Sequence, residues 1–396
     1  MRWLTHSERA DVAFIILLAL VARVVFCFLV YPHLSSQFWP GDGYDIIAGN
    51  LVQGNGFVLD GVPAAVIRLP LYPALLAASF LCFGNTSWPW QLAQCVGGAI
   101  TCALVLTITR QYASRAGALA AAGLCGLHPT LVLYVARPFT ETLYIFLFLL
   151  LARELSQPTW RAGNVGIFLG LQLLTRSTAL LHLLAFVPAL VRRRFGAVAC
   201  SVGIAGLVTV PWSAWNLTDC GHPNLLAAIG WRTWYRGLYV SQRVSWTTPN
   251  GDLNLDAEGA LERDFAQSGV TPAAGHLERE QVAAGLVRAW IVSHPRDAIR
   301  LWIRNIPLTW FLGRSGLSMW VYLVLHGALL FTMAVGAVRI WRECPQRRDF
   351  IMAMGLLVVG YTAFHAVIHP GVRYILPVVP LAALLAAGAT VRPSQQ

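Results

Sequence analysis

Gly196–Ala214 reads GAVACSVGIAGLVTVPWSA and Phe350–Ile368 reads FIMAMGLLVVGYTAFHAVI, and neither stretch contains a charged residue. A helix needs about 20 apolar residues to cross a hydrocarbon core of about 30 Å. Asp11–Tyr31 is a third stretch of this kind, almost without charge. Over the 396 residues, 57% are hydrophobic and 12% are charged, against roughly 25% charged in a soluble domain. The mean hydropathy is +0.59. So little polar surface cannot cover a globule, and the apolar excess must face lipid. The expectation is an all-α polytopic membrane protein rather than a barrel.

Working outward from these stretches, about ten spans are expected. They fall near Asp11–Tyr31, Trp88–Ile108, Ala116–Tyr134, Pro138–Ala152, Gly163–Leu174, Thr178–Val191, Gly196–Ala214, Leu317–Ile340, Phe350–Ile368 and Tyr374–Val391. The net charge of +11 sits in short connections: Arg2 and Arg9, Arg110 and Arg115, Arg153 and Arg161, Arg192-Arg193-Arg194, and Arg339 through Arg348. Short arginine-rich loops mark the cytoplasmic side, so the charge reads as a topology signal beside lipid, not as a nucleic-acid footprint. With the amino terminus inside, every one of these clusters falls on the cytoplasmic face. The first span has a basic start but no small-residue cleavage site, and reads as an uncleaved anchor.

The whole chain, 1–396, reads as one transmembrane domain with two external segments. The first, 32–85, holds a short amphipathic helix from Gly43 to Gly54 and an apolar piece from Leu69 to Gly84. That piece is too short to span, and reads as a juxtamembrane or re-entrant helix. The second, 212–316, is polar and mostly helical, and carries half of the 18 acids. Val282, Leu286, Ala289 and Val292 mark one face of a helix there, and His294-Pro295 ends it. No internal repeat is evident. Eight cysteines show no metal-ligand spacing and no disulfide framework; most lie in apolar runs, where a thiol behaves as a small hydrophobe.

Chemistry is confined to few residues. Asp42, Asp45, Asp60 and Glu141 are the acids expected at the outer face outside the large loop. Glu141 borders an apolar span, and an ionisable residue at membrane depth points to function. The competing reading pairs it with Arg137, four residues earlier. Arg137, Arg176 and Arg373 each interrupt apolar sequence at an outer turn, and Arg68 lies in the first external segment. Together they suit a phosphate, because guanidinium binds phosphate oxygens bidentately; snorkelling to the interface is the plainer alternative. Trp212, Trp215, Trp231, Trp234 and Trp246 near the large loop would either stack on sugar rings or form an interfacial belt. The sequons at Asn85 and Asn216 matter only in a glycosylating compartment.

Several pieces in order resemble the C-type superfamily of integral membrane glycosyltransferases, in its bacterial branch akin to protein mannosyltransferases and aminoarabinose transferases. They are Gly41-Asp42-Gly43-Tyr44 with Ala48 to Phe57, Arg68-x-Pro70-Leu71-Tyr72-Pro73, His128-Pro129 with Thr140-Glu141-Thr142-Leu143, Leu174-Thr175-Arg176, Val210-Pro211-Trp212 with Asn216, His294-Pro295, and His369-Pro370 with Arg373-Tyr374 and Pro377. The resemblance runs nearly the whole length. It implies a sugar moved from a polyprenyl-phosphate donor to an acceptor hydroxyl at the external face of the inner membrane. It implies an aspartate base in the first external loop, where Asp42 occupies the matching place and Asp45, one turn away, competes. Donor phosphate would meet Arg68, Arg137, Arg176, His369 and Arg373, and substrate would meet Tyr44, Tyr72 and Glu141. No cofactor is implied, and a divalent metal is not expected, since Asp42 and Asp45 alone make a thin ligand set.

The chemistry itself asks for a carboxylate near the attacking hydroxyl and positive charge on the leaving phosphate. No second carboxylic acid is needed, which favours a single inverting displacement. Two other classes compete: a ligase or polymerase using a polyprenyl-diphosphate carrier, and a lipid or solute transporter. A transporter would show repeats and charges at the midplane. The sugar and the acceptor (glycan, lipid or protein) are not specified by the sequence.

Overall fold

Six helices are long and apolar enough to cross a bilayer: His6–Leu34, Trp88–Thr109, Phe195–Thr218, Gly316–Glu343, Pro345–Ile368 and Val372–Thr390. The computed structural model describes residues 5–35, 41–65, 67–220, 227, 230–244, 253–270, 275–313 and 315–391. Apart from a two-strand hairpin and one isolated bridge, the described residues form helices and their connections. The protein is an all-α, multi-pass membrane protein.

The remaining expected spans fall on helices that are shorter or bent. Arg115–Leu127 and Pro129–Ala136 are together long and apolar enough for one span, and are bent by 49° where they meet. The bend sits at His128, which is extended at φ −61° and ψ 119° because the following proline disfavours the helical region. Glu141–Leu155 has 15 residues and Ala162–Leu173 has 12, only about 18 to 22 Å at 1.5 Å per residue. Ser177–Phe186 is wound as a 3-10 helix before Val187–Val191. The tighter winding rises about 2.0 Å per residue, so a short segment covers most of the bilayer thickness. Leu71–Phe83, the expected re-entrant piece, has 13 residues and does not reach across.

Burial sorts these elements into a centre and a rim. Within its apolar window, Val372–Thr390 is 78% buried, whereas Gly316–Glu343 is 17% buried. On the latter, Leu317, Val324, Phe331 and Val338 recur every seventh residue and are all exposed, a stripe that faces lipid. Its other side crosses the last helix closely. A Cβ at Gly336 would stand 2.1 Å from the Leu385 carbonyl oxygen, so only glycine permits the approach, as small residues do at helix crossings in membranes.

Residues 41–65 form a helix and a hairpin. Tyr44–Val52 is helical, and the chain then turns through Asp60 and Gly61 at φ 54° and 77°. Positive φ at both positions gives the two-residue hairpin turn whose twist matches its strands, here Val58–Leu59 against Val62–Pro63. Ile47, Phe57, Leu59, Ala65 and Ile67 pack with Trp212 beneath it. Before that helix stands Gly43 at φ 78°, where a Cβ would meet Leu59 Cδ1 at 2.6 Å. Gly43→Ala is expected to cost about 1 to 3 kcal/mol, read as a lowered unfolding midpoint in detergent. An unchanged midpoint would mean the backbone is not held in this conformation.

Between Phe195–Cys220 and Gly316–Glu343, the described residues form the helices Gly230–Arg243, Leu253–Gln267, His276–Ser293 and Pro295–Phe311. The expected helix ending at His294-Pro295 is present. Its buried anchor is Glu280, which accepts from the Trp231 amide at 2.9 Å and from Arg232 Nε at 2.6 Å.

Candidate active site

Four charged residues from four separate elements converge in one place. Glu141 opens the helix Glu141–Leu155, where a carboxylate complements the positive helix end, and it is fully buried. Its Oε1 accepts from Arg373 Nε at 2.8 Å and lies 3.0 Å from Arg176 Nη1. Arg373 reaches with its other arm to the Asp42 carboxylate. One guanidinium therefore bridges the first external loop and the buried acid, across more than 300 residues of sequence.

The local folding that places each side chain is simple. Arg176 is extended, at φ −150° and ψ 135°, in the break between Ala162–Leu173 and the 3-10 helix. Arg373 follows His369-Pro370-Gly371, where the preceding span has ended at Ile368. Asp42 lies between Gly41 and Gly43, and its carbonyl accepts from Arg68 Nε at 2.9 Å. Arg68 thus fixes the loop backbone while Arg373 fixes the carboxylate. The Leu71 amide donates to the Leu174 carbonyl at 3.0 Å, tying this loop to the turn that carries Arg176.

Access separates the two acids. The side chains of Asp42 and Arg373 are 25% and 27% exposed, whereas that of Glu141 is 1% exposed. Asp42 and Arg373 can meet a substrate; Glu141 holds the arginines from behind. Burial alone would raise the Asp42 carboxyl, but Arg373, then Arg68 and Arg176, outweigh it and hold it well below the usual carboxylate range. An acid titrating lower in the folded than in the unfolded state contributes stability above the unfolded value of about 3.9, lost as pH falls through the native value. Acidification from pH 7 to pH 3 should therefore lower the unfolding midpoint of wild type more than that of Asp42→Asn. Equal losses would mean the pair with Arg373 is not formed.

The other expected site residues divide. Arg137 stacks over Phe139 at 4.4 Å, and Arg373 lies over the same ring at 4.3 Å, so both cations flank one aromatic side chain. The expected Arg137–Glu141 spacing of one helical turn does not apply, because Arg137 is extended and the helix begins only at Glu141. Glu141 takes Arg176 and Arg373 in its place. Tyr44 packs edge-on against Tyr72, centroids 5.4 Å apart, under the Arg68 guanidinium, and the Tyr72 hydroxyl donates to Gln94. Asp45 is one turn along the helix and forms no ion pair with a described residue.

His369 is buried, with Nε2 3.2 Å from Asn254 Oδ1 and Nδ1 3.1 Å from the Pro370 carbonyl. Burial, with Arg236 and Arg373 nearby, lowers its pKa to about 3. Its burial beside these two oxygens suits holding the turn before Arg373. Trp212 stacks on Trp215 beside Phe57, and Trp231 stacks on Trp234; Trp246 lies outside the described residues. Asn216 is buried within its helix.

Sequence reasoning missed a layer under the cluster. Tyr144, His182 and Tyr361 form a buried triangle: the two hydroxyls are 2.5 Å apart, and His182 Nε2 lies 2.8 Å from Tyr361 and 3.2 Å from Tyr144. Arg176 sits over the Tyr144 ring at 5.7 Å. The available signal was a histidine inside an apolar run, an ionisable group at membrane depth.

No model of a known protein family matches the chain, and no curated protein matches it. Solved structures do. The archaeal oligosaccharyltransferase AglB from Archaeoglobus fulgidus, in complex with an inhibitory peptide and a dolichol-phosphate, aligns over 97% of this chain at 14% identity with a TM-score of 0.55. The apo form of the Archaeoglobus fulgidus oligosaccharyltransferase aligns over 96% with the same score. The chain spans about half the length of these proteins, 50% in each case. ArnT from Cupriavidus metallidurans, bound to undecaprenyl phosphate, aligns over 96% of this chain and 77% of its own at 15% identity, with a TM-score of 0.43. The chain shares the fold of the membrane part of the Archaeoglobus fulgidus oligosaccharyltransferase over nearly all of its own length.

Proposed function

We propose that this protein transfers a sugar from a polyprenyl-phosphate carrier to an acceptor hydroxyl at the external face of the inner membrane. The observation that carries the reading is the single guanidinium of Arg373 shared between a partly exposed aspartate and a buried glutamate. In the resting arrangement Asp42 is a weak base, since its negative charge is already neutralised. A donor phosphate arriving at Arg373 would compete for that guanidinium and return basicity to Asp42. The acceptor hydroxyl then attacks the anomeric carbon and gives its proton to the Asp42 carboxylate. The bond from that carbon to the phosphate oxygen breaks, its electron pair stays on the phosphate, and Arg373 and Arg176 meet the charge. One displacement inverts the anomeric centre.

Sidedness has its own support. Glu141 lies at one end of its helix and Arg153 near the other. Arg161 and Arg176 flank opposite ends of the next helix, and Arg348 and Arg373 lie at opposite ends of Arg348–Ile368. The cluster thus occupies the helix ends away from the short arginine-rich loops, which are cytoplasmic by charge.

The test is purified protein in nanodiscs with labelled polyprenyl-monophosphate sugars and with diphosphate-linked sugars. Consumption of a monophosphate donor with inversion supports the reading. Turnover of the diphosphate-linked donor alone would establish the ligase class, and retained configuration would remove the single displacement. The reading gives phosphate neutralisation to arginine, so a chelator should leave the rate within about twofold. A loss that Mg²⁺ or Mn²⁺ restores would assign that role to a cation.

A further inference from the structure

Arg23 lies in the first span and is 2% exposed. Its Nη1 donates to the Ala19 carbonyl at 3.1 Å and the Gly126 carbonyl at 2.8 Å, and its Nη2 donates to the Cys125 carbonyl at 3.2 Å. Cys125 and Gly126 end the helix Arg115–Leu127, where Pro129 leaves carbonyls without helical donors. Three contacts therefore explain the terminal nitrogens. They do not explain Nε, which is buried with no hydrogen-bond partner.

A second atom shares this condition. Glu141 gives Oε1 to both Arg176 and Arg373, while its Oε2 is buried with no partner. Arg23 and Glu141 line the same cavity of about 20 Å³, together with Gly98, Thr101 and Thr142. That is room for a water molecule, which needs two to four polar partners. The cavity walls offer an N–H, a carboxylate oxygen and two hydroxyls. Gly98 is required for the approach, since a Cβ there would stand 2.5 Å from Arg23 Nε.

We propose that this cavity is a water site joining Arg23 Nε–H to Glu141 Oε2, which makes Arg23 a positioning residue for the ion cluster. The water accepts from Nε–H and donates to Oε2, so the buried carboxylate is satisfied on both oxygens. The first span then supports Glu141 from the lipid-buried side, and Glu141 in turn fixes Arg176 and Arg373. The inference rests on the proposed function only in calling that cluster the active site.

A double-mutant cycle on thermal unfolding in nanodiscs tests it without any substrate. Arg23→Lys keeps a cation for the three carbonyls but has no N–H at the Nε position; Arg23→Met removes the charge. The lowering of the midpoint by Arg23→Lys should fall by at least half when Glu141 is already glutamine. Fully additive shifts would overturn the proposal, and so would a structure resolving waters that places none between the two atoms. If Arg23→Met fails to fold, the Arg23→Lys cycle still decides. Because unfolding is the readout, additivity here leaves the transferase reading standing, and an inactive wild type would leave this link standing.

Discussion

Asp42→Asn should consume a labelled polyprenyl-phosphate sugar about 10² to 10⁴-fold more slowly than wild type, the range lost with a general base. The folded state should persist, because the asparagine amide still reaches Arg373 and the loop backbone is held separately by Arg68. Donor binding should survive or tighten, since Arg373 no longer has a full negative charge to leave. Asp45→Asn is the matched control, three residues on in the helix Tyr44–Val52 and outside the ion cluster, and should stay within a few-fold of wild type. Loss in Asp45→Asn with near-normal turnover in Asp42→Asn would move the base by one turn. Equal activity in both would remove the aspartate mechanism.

The second large effect belongs to Arg373. Arg373→Ala leaves the buried Glu141 with Arg176 as its remaining direct ion partner and Asp42 without its strongest neighbour. Removing one partner of a buried pair costs about 3 to 5 kcal/mol, and removing a positioned charge from the leaving group costs about 10² to 10³ in rate. Stability and activity should then separate in a second variant. Adding Glu141→Gln to Arg373→Ala should recover much of the unfolding midpoint, because the unmatched charge is gone, while the rate stays low. Recovery of both would show that Arg373 serves only the fold. Arg373→Lys should fall between, since an ammonium cannot span both carboxylates as a planar fork does.

The members of the ion cluster were legible because charge is scarce here. In a chain with 12% charged residues, Asp42, Glu141, Arg176 and Arg373 stand out as interruptions of apolar sequence, and their turns mark one membrane face. Their pairing was not legible. Sequence distance suggested Arg137 for Glu141, but that rule presumes one continuous helix, and the helix begins after Arg137. The true partners come from two other segments and meet only through tertiary packing. Arg23 was not legible because two of its three carbonyl partners, Cys125 and Gly126, belong to another helix. Length alone does not report winding: a 3-10 segment such as Ser177–Phe186 covers more depth per residue than an α-helix.

The last span supplies both the most buried helix and the arginine that completes the cluster, 331 residues after the aspartate it holds. At about 5 to 20 residues per second, a ribosome reaches Arg373 roughly 17 to 66 s after Asp42. For the last 232 of those residues the growing chain carries Glu141 without its full complement of cations. The ion cluster is thus completed only once Arg373 has been made, and a product terminated before it would leave the buried Glu141 short of one of its two cations.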